Sequence, residues 1–309
     1  MDKLVIICGP TASGKTRLAI DVAVTLGGEI VNADSMQIYR GMDIGTAKPT
    51  TQEMSGVPHH LIGTVEIGQP YSAAVFQQQA RACIADIAGR GRLPILCGGT
   101  GLFISSVLYD LDFRQQSANN ELRERLQAAE REQGAAALYE MLAKQDPATA
   151  ARIHPNNTRR VIRALEVALG AGQESAPAPL FNGIPRYNLA WIGLQRDRGD
   201  LCRRIDTRVE EMIRSGLLEE VRTLAAHYGR GASAFQALGY KELYPVLDGQ
   251  QTLEEAAQII KTRTRQYAKR QMTWFKRENA IHWLDADILS AEALRTAALA
   301  YIAETLHIS

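Results

Sequence analysis

Residues 9–16 carry the most recognisable chemistry in the sequence, since they read Gly9-Pro10-Thr11-Ala12-Ser13-Gly14-Lys15-Thr16. The spacing G-x-x-x-x-G-K-T is typical of a loop that binds polyphosphates or nucleotides. Its glycines let backbone N–H groups surround phosphate oxygens, and the following helix N-terminus adds positive potential. Lys15 would bridge phosphates and the Thr16 hydroxyl would bind Mg²⁺, the expected cofactor. The alternative is a plain strand–helix turn with an incidental lysine.

A second candidate group is a carboxylate that stands in an unusual place. P-loop enzymes usually carry an Asp at the end of a later apolar strand. Here the strand at 94–97 is followed by Gly98-Gly99-Thr100-Gly101, and the carboxylate, Asp34, ends the earlier strand at 29–34. Because parallel strands end at one edge of a sheet, we expect Asp34, Thr100 and the loop 9–16 to form one site. The alternatives are a helix or turn cap for Asp34 and ordinary turn chemistry or an N-cap for Thr100.

The elements around these residues predict an α/β fold, a P-loop NTPase-like parallel sheet interrupted by a helical insertion. An apolar strand at 4–8 precedes the loop, and Leu18, Val22 and Leu26 follow it at helical spacing. The predicted domains are 1–113 (first part of the core), 114–185 (helical insertion) and 186–309 (second part of the core, with a basic C-terminal helix). Further predicted elements are a long polar loop at 34–70, helices at 71–88, 119–145, 156–169 and 253–277, and strands at 188–194 and 281–284.

Composition excludes several classes of protein. The chain has 309 residues, 46% of them hydrophobic and 22% charged, which excludes disorder, collagen and a disulfide-rich miniprotein. The four cysteines form no CxxC pair, so we expect buried thiols in a reducing cytosol. No apolar run approaches the ~18 residues of a membrane span, and no secretory leader precedes the first strand. The expected location is therefore the cytoplasm.

Charge is balanced in total but is sorted along the chain. There are 35 Lys and Arg against 34 Asp and Glu, for a net charge of +1. The runs 152–163 and 261–277 nevertheless contain four and seven basic residues with no acid, and Arg203, Arg204 and Arg208 lie between them. Such runs suit a phosphate-rich partner, a single large polyphosphate ligand, or merely a solvated helix face.

Six motifs in order resemble the bacterial tRNA dimethylallyltransferases, also called tRNA isopentenyltransferases, and the resemblance covers about residues 4 to 285. The motifs are Gly9–Thr16, Asp34–Arg40, Gly41–Pro49, Pro58–Leu61, Gly98–Leu102 and Ala268–Phe275. The resemblance implies transfer of a dimethylallyl group from dimethylallyl diphosphate to N6 of adenosine 37, next to the anticodon of tRNA. It implies no zinc in this chain, and we expect a monomer.

The resemblance also assigns roles to the candidate residues. Asp34 would be the general base, and Lys15, Thr16, the backbone amides of 12–16 and either Arg204 or Arg208 would hold the diphosphate. Thr100 would bind the diphosphate or position Asp34. The implied tRNA contacts are Asp34, Ser35, Met36, Gln37, Thr100, Arg123, Arg159, Arg160, Val161, Ile162, Arg163, Gln236, Ala237, Leu238, Gly239, Tyr240 and Lys241. The insertion would clamp the anticodon stem-loop.

Two other classes of function compete with this interpretation. A small-molecule or nucleoside kinase with a helical lid would fit the P-loop and the arginines, but the missing Asp after 94–97 and the basic, aromatic C-terminal helix argue against it. An RNA-binding module with a relic P-loop is opposed by intact Lys15, Thr16, Asp34 and Thr100. His59 and His60 have no evident partner in the sequence, and core or loop positions are expected for them rather than a metal site.

Overall fold

Within the described residues, six parallel strands form one sheet in the order β3-β2-β4-β1-β5-β6. The computed structural model describes residues 1–111, 120–170 and 183–308. The strands are β1 (Lys3–Cys8), β2 (Glu29–Asn32), β3 (His59–His60), β4 (Pro94–Gly98), β5 (Asn188–Gln195) and β6 (His282–Asp285). The predicted α/β fold with a P-loop-like parallel sheet is confirmed.

Helices make up most of the remaining described chain. They are α1 (Lys15–Leu26), α2 (Thr51–Met54), α3 (Ala73–Gly89), α4 (Gly101–Leu108), α5 (Asn120–Gln145), α6 (Pro147–Ala150), α7 (Thr158–Gly170), α8 (Arg198–Arg214), α9 (Leu217–Tyr228), α10 (Tyr244–Leu247), α11 (Leu253–Phe275) and α12 (Ala291–Leu306). Short 3₁₀ turns span Ser233–Gln236 and Lys241–Leu243. No helix in these ranges is long and apolar enough to cross a membrane.

One face of the sheet is covered by α1 and α12, because both helices carry apolar residues at helical spacing. In α12 every fourth residue from Leu294 to Leu306 is buried against this face. In β1 the alternate residues Val5 and Ile7 point into the same cluster. The run Leu4–Cys8 is buried on both faces, as expected for an inner parallel strand.

The chain divides into two compact units, residues 1–110 with 181–309, and residues 111–180. The smaller unit has its own core, formed by Leu126, Leu138, Leu142, Ala150, Val161, Ile162 and Leu165. Within it, Gly134 has a φ of 84° and interrupts the helical geometry of α5. The predicted junction at 113/114 and most of the predicted loop 172–185 lie outside the described residues.

Strand β3 was not predicted, since it consists of only two histidines within the long polar loop. It extends the sheet beside β2, with Ile30 opposite His59 and Val31 opposite His60. The imidazole Nε2 of His60 lies 2.8 Å from Glu29 Oε2, and Arg90 binds the same carboxylate. His60 is therefore held at the sheet edge by a contact that the local sequence pattern does not reveal.

Candidate active site

A cavity of about 620 Å³ opens at the edge of the sheet where β1, β2 and β4 end. Three segments that are distant in sequence line it, namely the loop 9–16, residues 34–50 and one face of α8. The polar side chains at its wall include Lys15, Thr16, Asp34, Lys48, Arg204 and Arg208. The P-loop and Asp34 line the same cavity, as the sequence predicts.

The loop 9–16 has the backbone conformation that anion binding requires. Gly9 and Gly14 have φ values of 149° and 99°, and Ala12 also lies at positive φ. Lys15 begins α1, and its Nζ donates to the Pro10 carbonyl at 3.3 Å. Burial lowers the pKa of this ammonium, although Cys97 and Asp34 act in the opposite direction. A partly buried, weakly paired cation at a helix N-terminus is stabilised by a bound anion.

Both candidate arginines face the loop, so the structure brings together the pair between which the sequence does not choose. Arg204 Nε donates to the Ala12 carbonyl at 3.1 Å, and Arg208 Nη1 lies 3.5 Å from Thr11 Oγ1. They are four residues apart and therefore share one face of α8. Burial lowers the pKa of the Arg208 guanidinium, and the neighbouring Arg204 lowers it further. The site thus accumulates positive charge around the loop.

Asp34 combines the structural role of a turn cap with an oxygen left available for chemistry. Its Oδ1 accepts hydrogen bonds from the backbone N–H groups of Met36 at 2.9 Å and Gln37 at 3.4 Å. Asn32, a residue that the sequence analysis missed, bonds the Asp34 backbone on both sides, at 3.2 and 3.3 Å. No described residue donates a hydrogen bond to Oδ2. The alternative role as a turn cap therefore accounts for Oδ1 but not for Oδ2.

Thr100 lies at the N-cap position of α4, but its hydroxyl does not cap that helix. Instead, Thr100 Oγ1 accepts a hydrogen bond from the backbone N–H of Ser35 at 3.1 Å and lies 3.3 Å from Ser35 Oγ. The Thr100 N–H donates to the Ala33 carbonyl at 3.2 Å. These contacts favour positioning of the Asp34 turn over direct contact with the diphosphate.

The glycines around Thr100 allow α11 to approach the turn directly. A Cβ at Gly99 would lie 2.2 Å from Gln271 Nε2, and a Cβ at Gly101 would lie 2.1 Å from Trp274 Cδ1. Both distances are too short for any real side chain. Gly99 and Gly101 therefore allow the close packing against α11, whereas a Cβ at Gly98 would meet the Ala33 backbone.

The segment 236–241, predicted to contact tRNA, is largely an internal anchor. Tyr240 is 0% exposed, and its hydroxyl donates to Glu220 at 2.7 Å. The same carboxylate accepts the backbone N–H groups of Asp43, Ile44 and Gly45 at 2.7–3.0 Å, which fixes one wall of the cavity. Ala237, Gly239 and Tyr240 are buried, whereas Gln236, Leu238 and Lys241 are at least partly exposed. The tRNA contacts expected of this segment stay a prediction.

In the smaller unit, the predicted RNA residues fall into three groups. Val161 and Ile162 are buried in its core, and the RNA contact expected of them stays a prediction. Arg123 and Arg163 both bind the buried Glu166 carboxylate, whose pKa these two arginines lower against the effect of burial. Arg159 and Arg160 are exposed and make no ion pair within the described residues.

The basic run 261–277 is partly neutralised by acids from elsewhere in the larger unit. Lys261 binds Glu210, Arg263 binds Glu242, and Arg265 binds Asp206. The later cations of the run, Lys269, Arg270, Lys276 and Arg277, make no ion pair within the described residues and are exposed. Only this second half of the run provides an uncompensated basic surface.

Residues 37–278 match the family described as "IPP transferase". The chain belongs to this family. The tRNA dimethylallyltransferase of Geobacillus thermodenitrificans is 51% identical over 287 residues, covering 92% of this chain and 90% of the relative. The crystal structure of a tRNA isopentenylpyrophosphate transferase from Bacillus halodurans is 42% identical, covers 99% of both chains and has a TM-score of 0.74. A eukaryotic dimethylallyltransferase acting on tRNA is 30% identical, with a TM-score of 0.75, over 93% of this chain and 74% of that one.

Membership of the IPP transferase family agrees with the resemblance drawn from the sequence motifs. Two residues at or near the cavity were given no role by that comparison, since His59 lies within a motif without an assigned partner and Tyr267 lies outside the motifs. His59 lines the cavity, and its Nδ1 lies 2.8 Å from the Val57 carbonyl oxygen. Tyr267 approaches the site from α11, where it lies beside Thr100 and Gln271. The spacing of Tyr267, Gln271 and Trp274 at i, i+4 and i+7 is the signal that groups them on one helix face.

Proposed function

We propose that this protein transfers a dimethylallyl group from dimethylallyl diphosphate to N6 of adenosine 37, next to the anticodon of tRNA, with release of diphosphate. The observation that carries the proposal is the single cavity in which a polyphosphate loop meets the carboxylate of Asp34. The names of the relatives, tRNA dimethylallyltransferase and tRNA isopentenylpyrophosphate transferase, support the same reaction. We propose that the protein acts as a monomer in the cytoplasm, where its tRNA substrate is found.

The diphosphate of the donor binds at the loop 9–16. Lys15 and Arg208 are partly buried, and desolvation lowers the pKa of both, so a dianionic or trianionic group relieves an unfavourable concentration of positive charge. Arg204 lies beside them and donates to the loop backbone. Negative charge grows on the diphosphate as the carbon–oxygen bond breaks, and these preorganised donors stabilise it.

The residues of the loop also fit a magnesium ion that arrives with the diphosphate. The Thr16 side chain lines the cavity, and its hydroxyl makes no hydrogen bond within the described residues. No group of three or more His, Cys, Asp and Glu side chains in the described part of the chain is arranged to hold a metal. This agrees with Mg²⁺, which uses few protein ligands together with phosphate oxygens and water. When bound, Mg²⁺ would neutralise charge on the diphosphate.

Asp34 serves the acceptor. The exocyclic amine of adenine is a poor nucleophile because its lone pair is delocalised into the ring. Asp34 Oδ2, which accepts no hydrogen bond from the described residues, takes one N6 proton as N6 bonds to the allylic carbon and the bond from that carbon to the diphosphate oxygen breaks. Oδ1 meanwhile holds the turn at Met36 and Gln37, so the base stays oriented.

RNA binding is assigned to the exposed cations. Arg159 and Arg160 of the smaller unit, and Lys269 and Arg270 on α11, are exposed and make no ion pair within the described residues. An adenosine in an anticodon loop is unpaired, so it can leave the loop and enter a pocket at modest cost. These cations would hold the phosphate backbone while the base enters the cavity.

One assay tests the proposal. The full chain is incubated with dimethylallyl diphosphate, Mg²⁺ and unmodified tRNA, and the tRNA is digested to nucleosides for mass analysis. We expect a prenylated adenosine from the wild type and none from the Asp34→Ala variant. A parallel reaction with labelled ATP and nucleoside acceptors tests the kinase alternative. Phosphoryl transfer without prenylation would overturn the proposal.

A further inference from the structure

One face of α11 supplies side chains both to the P-loop and to the Gly-Gly-Thr-Gly turn at residues 98–101. Tyr267, Gln271 and Trp274 are spaced i, i+4 and i+7, so they share this face. Trp274 packs where Gly101 leaves room, and Gln271 packs against Gly99. The helix therefore lies directly over the Gly-Gly-Thr-Gly turn, within reach of the P-loop on one side and of the Asp34 turn on the other.

Gln271 connects two of the site loops through its amide. Its Oε1 accepts the backbone N–H of Thr11 at 2.9 Å, and its Nε2 donates to the Gly99 carbonyl at 2.9 Å. The side chain is 5% exposed, so water cannot replace either contact easily. The pairing also fixes the orientation of the amide, because only a neutral side chain with one donor end and one acceptor end satisfies both backbone groups.

Tyr267 continues this connection to the general base. Its side chain lies beside Thr100 and Gln271, and its pKa is raised by burial and by the nearby Asp34 carboxylate. Thr100 in turn holds the Ser35 N–H at 3.1 Å, one residue after Asp34. Hydrogen bonds thus run from the Thr11 amide through Gln271 to Gly99, and from the adjacent Thr100 to the Asp34 turn, with Tyr267 beside Gln271 and Thr100.

We propose that Tyr267 and Gln271 are positioning residues that set the distance between the P-loop and the Asp34 turn. The inference rests on the proposed function, since that reaction needs the base and the departing diphosphate on opposite sides of one allylic carbon. Neither side chain has to touch the donor. Their role is to fix the P-loop and the Asp34 turn at the correct distance, so that both contact the reacting groups in the transition state.

The kinetic consequence is a loss of turnover without a matching loss of donor binding. In Tyr267→Phe the ring keeps its packing and only the hydroxyl is removed, so we expect kcat to fall by about 10- to 100-fold, as for a small misplacement of reacting groups. The KM for dimethylallyl diphosphate should stay within about 3-fold. Gln271→Glu places a second acceptor against the Gly99 carbonyl and should lower kcat at least as far.

The test combines these variants with a matched control and a double-mutant cycle. Tyr244→Phe removes a buried hydroxyl that makes no hydrogen bond within the described residues and should leave kcat unchanged. In the double variant Tyr267→Phe with Gln271→Glu, the loss in kcat should be well below the product of the single losses, since both act on one connection. Independent, multiplicative losses would overturn the inference, and so would a raised KM with unchanged kcat.

A second readout does not depend on turnover. Hydrogen–deuterium exchange should speed up at residues 33–37 in Tyr267→Phe and at residues 9–16 in Gln271→Glu, while Tyr244→Phe changes neither segment. Wild-type exchange rates in both variants would refute the positioning role, whatever the reaction is. If the wild type makes no prenylated adenosine but exchange responds as described, the proposed function fails and the connection between the loops stands.

Discussion

Arg208→Met should make the protein more stable and a poorer binder of diphosphate at the same time. Arg208 is partly buried beside a like charge, Arg204, and its pKa is lowered because desolvation and that neighbour outweigh the carboxylates of Glu53 and Glu211. The guanidinium stays charged at any working pH, so its desolvation is a standing cost in the ligand-free protein. Methionine fills a similar volume without that cost.

The two effects differ in size as well as in sign. Relief of the buried charge should stabilise the free protein by about 1 kcal/mol, or about 2 °C in Tm for a chain of this length. Loss of a charged hydrogen-bond donor to the diphosphate should weaken binding by about 1.5–3 kcal/mol, which corresponds to roughly 10- to 150-fold in Kd. The increase in Tm that saturating dimethylallyl diphosphate causes should therefore shrink in the variant.

Thermal unfolding with and without the diphosphate measures both quantities in one experiment. The matched control is Arg203→Met, because Arg203 lies on the same helix but is 74% exposed and pairs with Asp200 at the surface. That control should change Tm by less than 1 °C, within the ±0.5 kcal/mol typical of surface substitutions, and should leave the ligand response intact. A destabilised Arg208→Met protein with normal donor affinity would refute the reasoning.

Three further predictions concern the base, the RNA surface and acid stability. Asp34→Asn keeps an oxygen for the turn but removes the base, so prenylation should fall by about 10²–10⁴-fold with tRNA affinity nearly unchanged; normal turnover would exclude Asp34 as the base. Arg270→Gln should reduce by about 1 the slope of log K for tRNA binding against log salt concentration. The control Arg265→Gln removes a cation that is paired with Asp206 and should leave that slope unchanged. Equal slopes in the two variants would exclude α11 from the RNA-binding surface. Arg90 and His60 lower the pKa of the 7%-exposed Glu29 to about 2. The contribution of this carboxylate to the stability of the folded protein is therefore complete above pH ~5 and is lost as the pH falls towards 2. Glu29→Gln should therefore lower the free energy of unfolding at pH 7 by up to about 3 kcal/mol, and the actual loss should be smaller because Arg90 is half-exposed. At pH 2 the substitution should change the free energy of unfolding by almost nothing. Urea unfolding at both pH values measures the two effects.

The sequence is most informative where chemistry requires particular residue types at short spacing. The motif at residues 9–16, the apolar strands and the carboxylate after β2 all follow from local patterns, and they predict both the fold and the meeting of Lys15 with Asp34. The helical insertion is predictable for the same reason, since its composition differs from that of the sheet. These features depend on neighbours within one turn or one strand.

The sequence does not predict features that depend on contacts with residues far away along the chain. The acid-free run at 261–277 is locally basic, yet Glu210, Glu242 and Asp206 neutralise its first half from other elements. Tyr240 is expected to contact tRNA but is fully buried, with its hydroxyl on Glu220. Strand β3 depends on Glu29, which lies thirty residues earlier. In each case the deciding contact joins segments that the sequence separates.

The anchor between Glu220, Tyr240 and residues 43–45 has a consequence for how the protein is made. The loops of the site are encoded in the first third of the chain, but their supports come from residues after 200: Arg204 on the P-loop, Glu220 and Tyr240 on the cavity wall. A nascent chain halted near residue 200 would carry the whole phosphate-binding motif without a formed cavity. Because the contacts that complete the cavity are synthesised late, the ability to hold a reactive allylic diphosphate emerges only when nearly all of the protein has left the ribosome.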